Sequence, residues 1–350
     1  MKKSEFLFLL ICTISFFSCS KSSSTSTPPI TPPVTPPSSK TDIYVAGFLG
    51  SGNNTTAVYW KNDTLVTLPG ANSAAISISV SGTDIYVGGN VGSNVGYWKN
   101  GTFITLFQIL GLGSYAITVV ASGNDIYACG NEYNNGHSVA EYWKNGQLVK
   151  FVSDTLTTSA NAMTVSGSDV YILGSQTDSS GTHAKYWKNG IGTNISDGPK
   201  SPYANAITVS GTDVYIGGGN TDTSGNYFIA KYWKNGVPVA VSDSSGIAVV
   251  FSIAVSGNDV YLAGYEKTGT ITSPSNYATA MYWKNETAIN LTSSPSYSLA
   301  TSVVTSGADA YVAYQDNYGF TVAKYAKNGT AINLTDGTSN ATAYAICLGK

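Results

Sequence analysis

Residues 204–243, ANAITVSGTDVYIGGGNTDTSGNYFIAKYWKNGVPVAVSD, alternate apolar and polar positions with a period of two. The alternation puts Ile207 and Val209 on one face of a first strand. It puts Val214 and Ile216 on one face of a second strand, with Tyr215 on the other. SGTD between these strands reads as a tight turn. After a variable polar segment comes a third strand, IAKYW, and then a KNG turn. Asn-Gly suits a two-residue hairpin because both residues tolerate positive φ. A weaker fourth strand, VPVAVS, is predicted at a sheet edge, because Pro238 has no N–H to give to a ladder.

This pattern recurs along the chain. Asp, then an aliphatic residue or alanine, then Tyr begins at Asp42, Asp84, Asp125, Asp169, Asp213, Asp259 and Asp309, at intervals of 41 to 50 residues. Tyr-Trp-Lys-Asn begins at Tyr59, Tyr97, Tyr142, Tyr186, Tyr232 and Tyr282, and a seventh copy at Tyr325 carries Ala326 in the tryptophan slot. A four-stranded antiparallel unit of about 44 residues is the period of a β-propeller blade. A solenoid would need special capping repeats at its ends, and none is apparent. The first unit starts at TDIYVAG without a first strand, while the last residues, ATAYAICLGK, match ANAITVSGT. Ala345, Ile346 and Leu348 take the places of Ala206, Ile207 and Val209. The expected fold is therefore all-β: a seven-bladed propeller over residues 41–350, closed by the C-terminal strand completing the N-terminal blade. Closure would remove exposed sheet edges at the seam.

The repeated residues read as scaffold. Tyr and Trp of each copy point to opposite faces of the sheet, so they would fill the wedges between blades rather than form a ring of sugar platforms. The repeated Asp is expected to accept backbone N–H bonds at its hairpin.

Composition narrows the function. Only 11% of the 350 residues are charged, net charge is −2, and all 18 basic residues are lysine. Without clustered cations or arginine forks, nucleic-acid binding is excluded as an expectation. The N-terminus, MKKSEFLFLLICTISFFSC, has the basic start and short apolar run of a secretory signal. Its end resembles a bacterial lipoprotein signal, which implies removal of residues 1–18 and lipidation of Cys19. Residues 20–40, rich in Ser, Thr and Pro, read as an extended spacer. An outer-membrane lipoprotein is expected, held to the membrane through its lipid alone, on either side of that membrane. Cys129 and Cys347 are expected as buried free thiols, with a disulfide as the alternative.

The short SGTD and KNG turns share one face of such a ring, and the long, divergent second-to-third loops lie on the other. Variable loops on a regular scaffold are where binding surfaces are built. Their Asn, Ser, Thr and Tyr suit a neutral glycan or a protein partner, and Tyr133, Asn134, His137, Tyr227, Tyr277 and Tyr318 are the candidate contacts. QTDSSG and NTDTSG echo the start of a calcium loop through Asp178 and Asp222, but neither has a closing bidentate Glu. Turns are preferred there, and no cofactor is expected beyond that calcium option. Catalysis has little support. There is no Gly-x-Ser-x-Gly elbow. His137 and His183 stand at different offsets from their tryptophans. Carboxylates from separate blades, among them Glu132, Glu141, Glu266 and Glu286, could still form a glycoside hydrolase or lyase pair.

Segments such as GNDVYLAGYEKTG and TVAKYAKNG resemble bacterial extracellular β-propeller repeats with a Gly-x-x-Tyr-Val-x-Gly strand and an Ala-x-Tyr or Ala-x-Trp strand ending in a Gly turn. The resemblance covers residues 41–350 and implies the fold, not an activity. The reading is a monomeric, non-enzymatic binding or scaffold module of the cell envelope. Glycosidic-bond cleavage and a purely structural role are the alternatives.

Overall fold

The computed structural model describes residues 41–109, 117–134, 136–152, 156–195, 202–243, 245–272, 277–293 and 296–349. The leader, Cys19 and the spacer lie outside the described residues, as do the side chains of Asn134 and Tyr318. The described strands form seven four-stranded antiparallel sheets. Each innermost strand packs on that of the next blade, and the seventh returns to the first. The protein is a seven-bladed β-propeller.

Blade 1 holds the seam. Ala341–Gly349 is its innermost strand, beside Asp42–Ser51, then Asn54–Lys61 and Thr64–Thr67 at the outer edge. The register sets Ile346 against Val45 and Leu348 against Ile43, as Ile207 lies against Ile216 and Val209 against Val214 in blade 5. The expected closure is present with its register. Pro238 sits in the outermost strand Val237–Ala240, where its missing N–H leaves no gap in an inner ladder.

All six tryptophans are buried, none more than 4% exposed. Trp283 of blade 6 packs with Tyr215 and Ala230 of blade 5, while Tyr282 beside it packs with Val303 and Val312 of blade 7. The aromatic pair thus reaches into both neighbouring wedges. Each such ring removes roughly 150–250 Å² from water, an upper estimate of ~4–6 kcal/mol before conformational entropy. The core role expected of them holds.

The repeated Asp departs from expectation. Asp213 Oδ1 accepts from Asn235 Nδ2 at 2.8 Å, and Oδ2 pairs with Lys234 Nζ at 2.8 Å. Asn235 Oδ1 takes the backbone N–H of Val214, and the Lys234 ammonium lies 5.3 Å over the Tyr215 ring. Asn235 itself has φ +51°, followed by Gly236 at +83°, so the turn bends toward the carboxylate. Thus the carboxylate takes side-chain donors, and asparagine takes the backbone N–H. The arrangement repeats in all seven blades, with Lys–Asp distances of 2.7–3.1 Å and Asn–Asp distances of 2.6–2.8 Å. KN therefore recurs after YW because it staples one short turn to the other.

Cys129 and Cys347 are free thiols, each pushed up to about 12 by desolvation; Cys129 is buried as expected, whereas Cys347 is only half-buried.

Candidate functional site

The nominated loop residues share one face but not one site. Tyr133 is exposed in blade 3, and its hydroxyl donates to Gly136 O at 2.8 Å. Asn134 and His137 face each other across the same hairpin. Asp178 belongs to the blade 4 hairpin, Asp222 and Tyr227 to blade 5, Tyr277 to blade 6 and Tyr318 to blade 7. Asp222 Oδ1 accepts the N–H groups of Asn226 and Tyr227 at 2.8 and 3.0 Å. A backbone contact joins two of these loops: Ile271 N donates to Asn226 O at 2.7 Å.

The two turn carboxylates face inward on their own loops. The Ser180 hydroxyl and N–H both donate to Asp178 Oδ1, and Ser224 does the same at Asp222 Oδ2. These donors hold both carboxyls below the ordinary range. No group of three His, Cys, Asp or Glu side chains suited to a metal occurs among the described residues. Asp178, Ser180 and His183 also superficially suggest a nucleophile with its base. Proton accounting argues otherwise. The Ser180 hydroxyl gives its proton to Asp178 at 2.6 Å, so His183 Nε2, 2.8 Å away, must act as donor to the serine oxygen. A histidine donating to serine cannot at the same moment withdraw its proton.

Several cavities open on the loop face, and two of them gather groups of chemical interest. The first, of about 280 Å³, lies in blade 6 between the link that enters it and its second and third strands. Asp243, Glu266, Tyr277 and Met281 line it. Burial, then repulsion from Asp243, pushes the Glu266 carboxyl up, whereas the Ser245 hydroxyl and N–H hold Asp243 down. The Lys267 ammonium lies over the Tyr265 ring at 5.8 Å. Sequence reasoning named Tyr277 and Glu266 but had no means to pair them with Asp243, which lies in a link between blades.

The second cavity, of about 430 Å³, occupies the centre of the ring. It is lined where innermost strands bulge. Each bulge inserts one residue, such as Asn205 between Ala204 and Ala206. Six innermost strands show this insertion: Tyr344, Ile76, Asn161, Asn205, Phe251 and Thr301 in blades 1, 2, 4, 5, 6 and 7. All six line the cavity. Three of them clasp the next blade: Asn161 donates to Ala204 O at 3.1 Å, Asn205 to Val250 O at 2.7 Å, and Thr301 to Ala343 O at 2.9 Å. Ile76 and Phe251 have no hydrogen-bonding side-chain group, and Tyr344 does not use its hydroxyl for such a clasp. None of these residues was nominated from sequence. The available signal was one repeat position, five residues before the serine of the SG turn in blades 2, 4, 5, 6 and 7, that changes chemistry from blade to blade.

Comparison with known proteins adds the fold alone. No protein-family profile matches the chain, and no curated protein does. Among solved structures, the acylaminoacyl peptidase of Pyrococcus horikoshii is similar at TM-score 0.55 and 11% identity, over 84% of this chain and 51% of that one. This chain therefore spans about half of the peptidase. A nidogen/laminin complex aligns at TM-score 0.42 and 8% identity, over 89% of this chain and 98% of that one. TolB from Acinetobacter baumannii aligns at TM-score 0.45 and 11% identity, over 87% and 66% respectively.

Proposed function

We propose that the protein is an outer-membrane lipoprotein, anchored through Cys19, whose propeller binds a glycan or an envelope protein with its variable-loop face. The observation that carries this reading is the contrast between the two faces. One repeats the same Asp–Lys–Asn staple in every blade. The other differs in every blade, exposes Tyr133, Tyr277, Tyr297 and Phe320, and holds the two cavities described above. Repetition serves the ring, so selection for a ligand has its freedom on the second face.

Binding of the purified protein to a glycan and polysaccharide array, followed by crosslinking in intact cells, tests this reading. A glycan hit or a crosslinked partner reached through loop residues is expected. Neither would be found if the protein is purely structural. Absence of palmitate label that depends on Cys19 would remove the anchor.

A second reading has one observation of its own. Asp243 and Glu266 line one cavity with carboxyls pushed in opposite directions, as a general acid and its ionised partner require. On this hypothesis Glu266 is the acid in glycosidic-bond cleavage. Turnover of any array ligand, abolished by Glu266→Gln, is the expected result; binding without turnover would discard it.

A further inference from the structure

We propose that the central cavity is a binding site for an uncharged sugar ring, which rests on and sharpens the binding role above. Among the described residues its wall contains no Asp, Glu, Lys or His. In a chain with 18 lysines and 20 acidic residues, a charged ligand would find no partner there and would lose its hydration.

The wall does carry the two kinds of group that a sugar needs. Phe251 and Tyr344 supply aromatic faces against which the C–H face of a pyranose can pack. Phe251 is braced against Tyr265 at 5.7 Å between ring centres, and Tyr344 against Phe48 at 5.8 Å. Braced rings lose little freedom when a ligand arrives. Tyr344 is 39% exposed although it belongs to an innermost strand. Its exposure has no scaffold purpose, since other blades use this position to clasp a neighbour.

Polar capacity is left over beside the rings. The Gln315 amide and the Tyr344 hydroxyl make no hydrogen bond to any described residue. Asn161 and Asn205 spend their amide N–H on the next blade's carbonyl, which aims each amide and leaves its oxygen as an acceptor. Thr301 does the same with its hydroxyl proton. These groups are neutral, fixed by the scaffold and of both donor and acceptor type, the set that hydroxyl groups require. A volume of about 430 Å³ falls in the range of ordinary small-molecule pockets.

Isothermal titration of the purified protein with methyl glucoside, methyl galactoside, N-acetylglucosamine and cellobiose, against glucuronate and glucosamine, tests the assignment. At least one neutral sugar should bind and its charged counterpart should bind about tenfold more weakly or not at all. Phe251→Ala and Tyr344→Ala should each weaken binding about tenfold or more, and Tyr344→Phe, which keeps the ring packing, should show a smaller loss with an unchanged melting temperature. Ile191→Ser, on the outermost strand of blade 4, should leave it unchanged. A sugar that binds equally well to the channel variants but fails with Tyr277→Ala overturns this site while leaving the binding role standing. Binding of no neutral sugar overturns the assignment, and crosslinked partners then decide the broader role separately.

Discussion

Tyr314 and Ala326 share one apolar cluster of blade 7, and the first fills space that the second leaves. In the other six blades the slot of Ala326 holds tryptophan, and the slot of Tyr314, five residues after the repeated Asp, holds glycine. Blade 2 shows why. A Cβ on Gly89 would meet the Trp98 ring at 3.0 Å and the Ala74 carbonyl closer still. The tryptophan ring lies over that glycine. Blade 7 keeps the aromatic volume but moves it to the second strand, where Tyr314 is 1% exposed and burial pushes its hydroxyl up to about 12.

The two positions should therefore be coupled. Ala326→Trp alone overpacks the wedge and should cost about 1–3 kcal/mol. Tyr314→Gly alone empties it and should cost about 3–5 kcal/mol. The double variant should be markedly more stable than the sum. Strictly additive losses in urea unfolding would show that the two side chains do not share space.

Closure at blade 1 predicts a second effect. Ile346 is 3% exposed and lies opposite Val45. Ile346→Ala should cost about 2–5 kcal/mol, and deletion of residues 341–350 should lower the melting temperature further by exposing the inner edge of Asp42–Ser51. An unchanged melting temperature after the deletion would mean that the seam contributes nothing.

The seven staples make stability depend on acid. Lys and Asn donors lower each repeated Asp, as Lys234 and then Asn235 do for Asp213. A depressed folded pKa contributes stability above the unfolded value, about 3.9, and loses it as pH falls through the folded value. Thermal unfolding should thus be steady near neutrality and decline below about pH 4. The Lys partners are raised, so their contribution fades only in strong alkali. Asp213→Asn should lower the melting temperature at pH 7 more than at pH 3. An equal loss at both would deny the carboxylate its role.

Glu266 carries the opposite sign. Its folded pKa is raised by burial and then by Asp243, so ionisation opposes folding above its unfolded value. Glu266→Gln should raise the melting temperature at pH 7 and leave it nearly unchanged at pH 3.5. A lower melting temperature at pH 7 would reveal a stabilising partner for the carboxylate.

Much of the fold was legible because a repeat states the same pattern seven times. Period-two alternation located the strands, KNG located the outer hairpin, and the match of Ile346 to Ile207 located the seam. Lys234 was not legible as a partner of Asp213, since the two stand 21 residues apart and meet only when two turns reach the same face. The exchange of Trp-Gly for Ala326-Tyr314 was written in the sequence, yet only the packing shows that its halves compensate. The site was less legible. Tyr277, named as a ligand contact, lines the blade 6 cavity. Phe251 and Tyr344 were passed over because alternation marks them as ordinary strand residues, and it is the bulge that turns such positions toward the channel. Asp243 lies outside every repeat element.

The strand Asp42–Ser51 enters the ring with a ladder on each side, Ala341–Gly349 and Asn54–Lys61. A pull on residue 41 along that strand must shear both ladders together, instead of peeling an edge strand one bond at a time. The propeller thus meets a load applied at residue 41 at one of its most strongly gripped strands, and a force applied at the loop face would pass through the ring before it reached that residue.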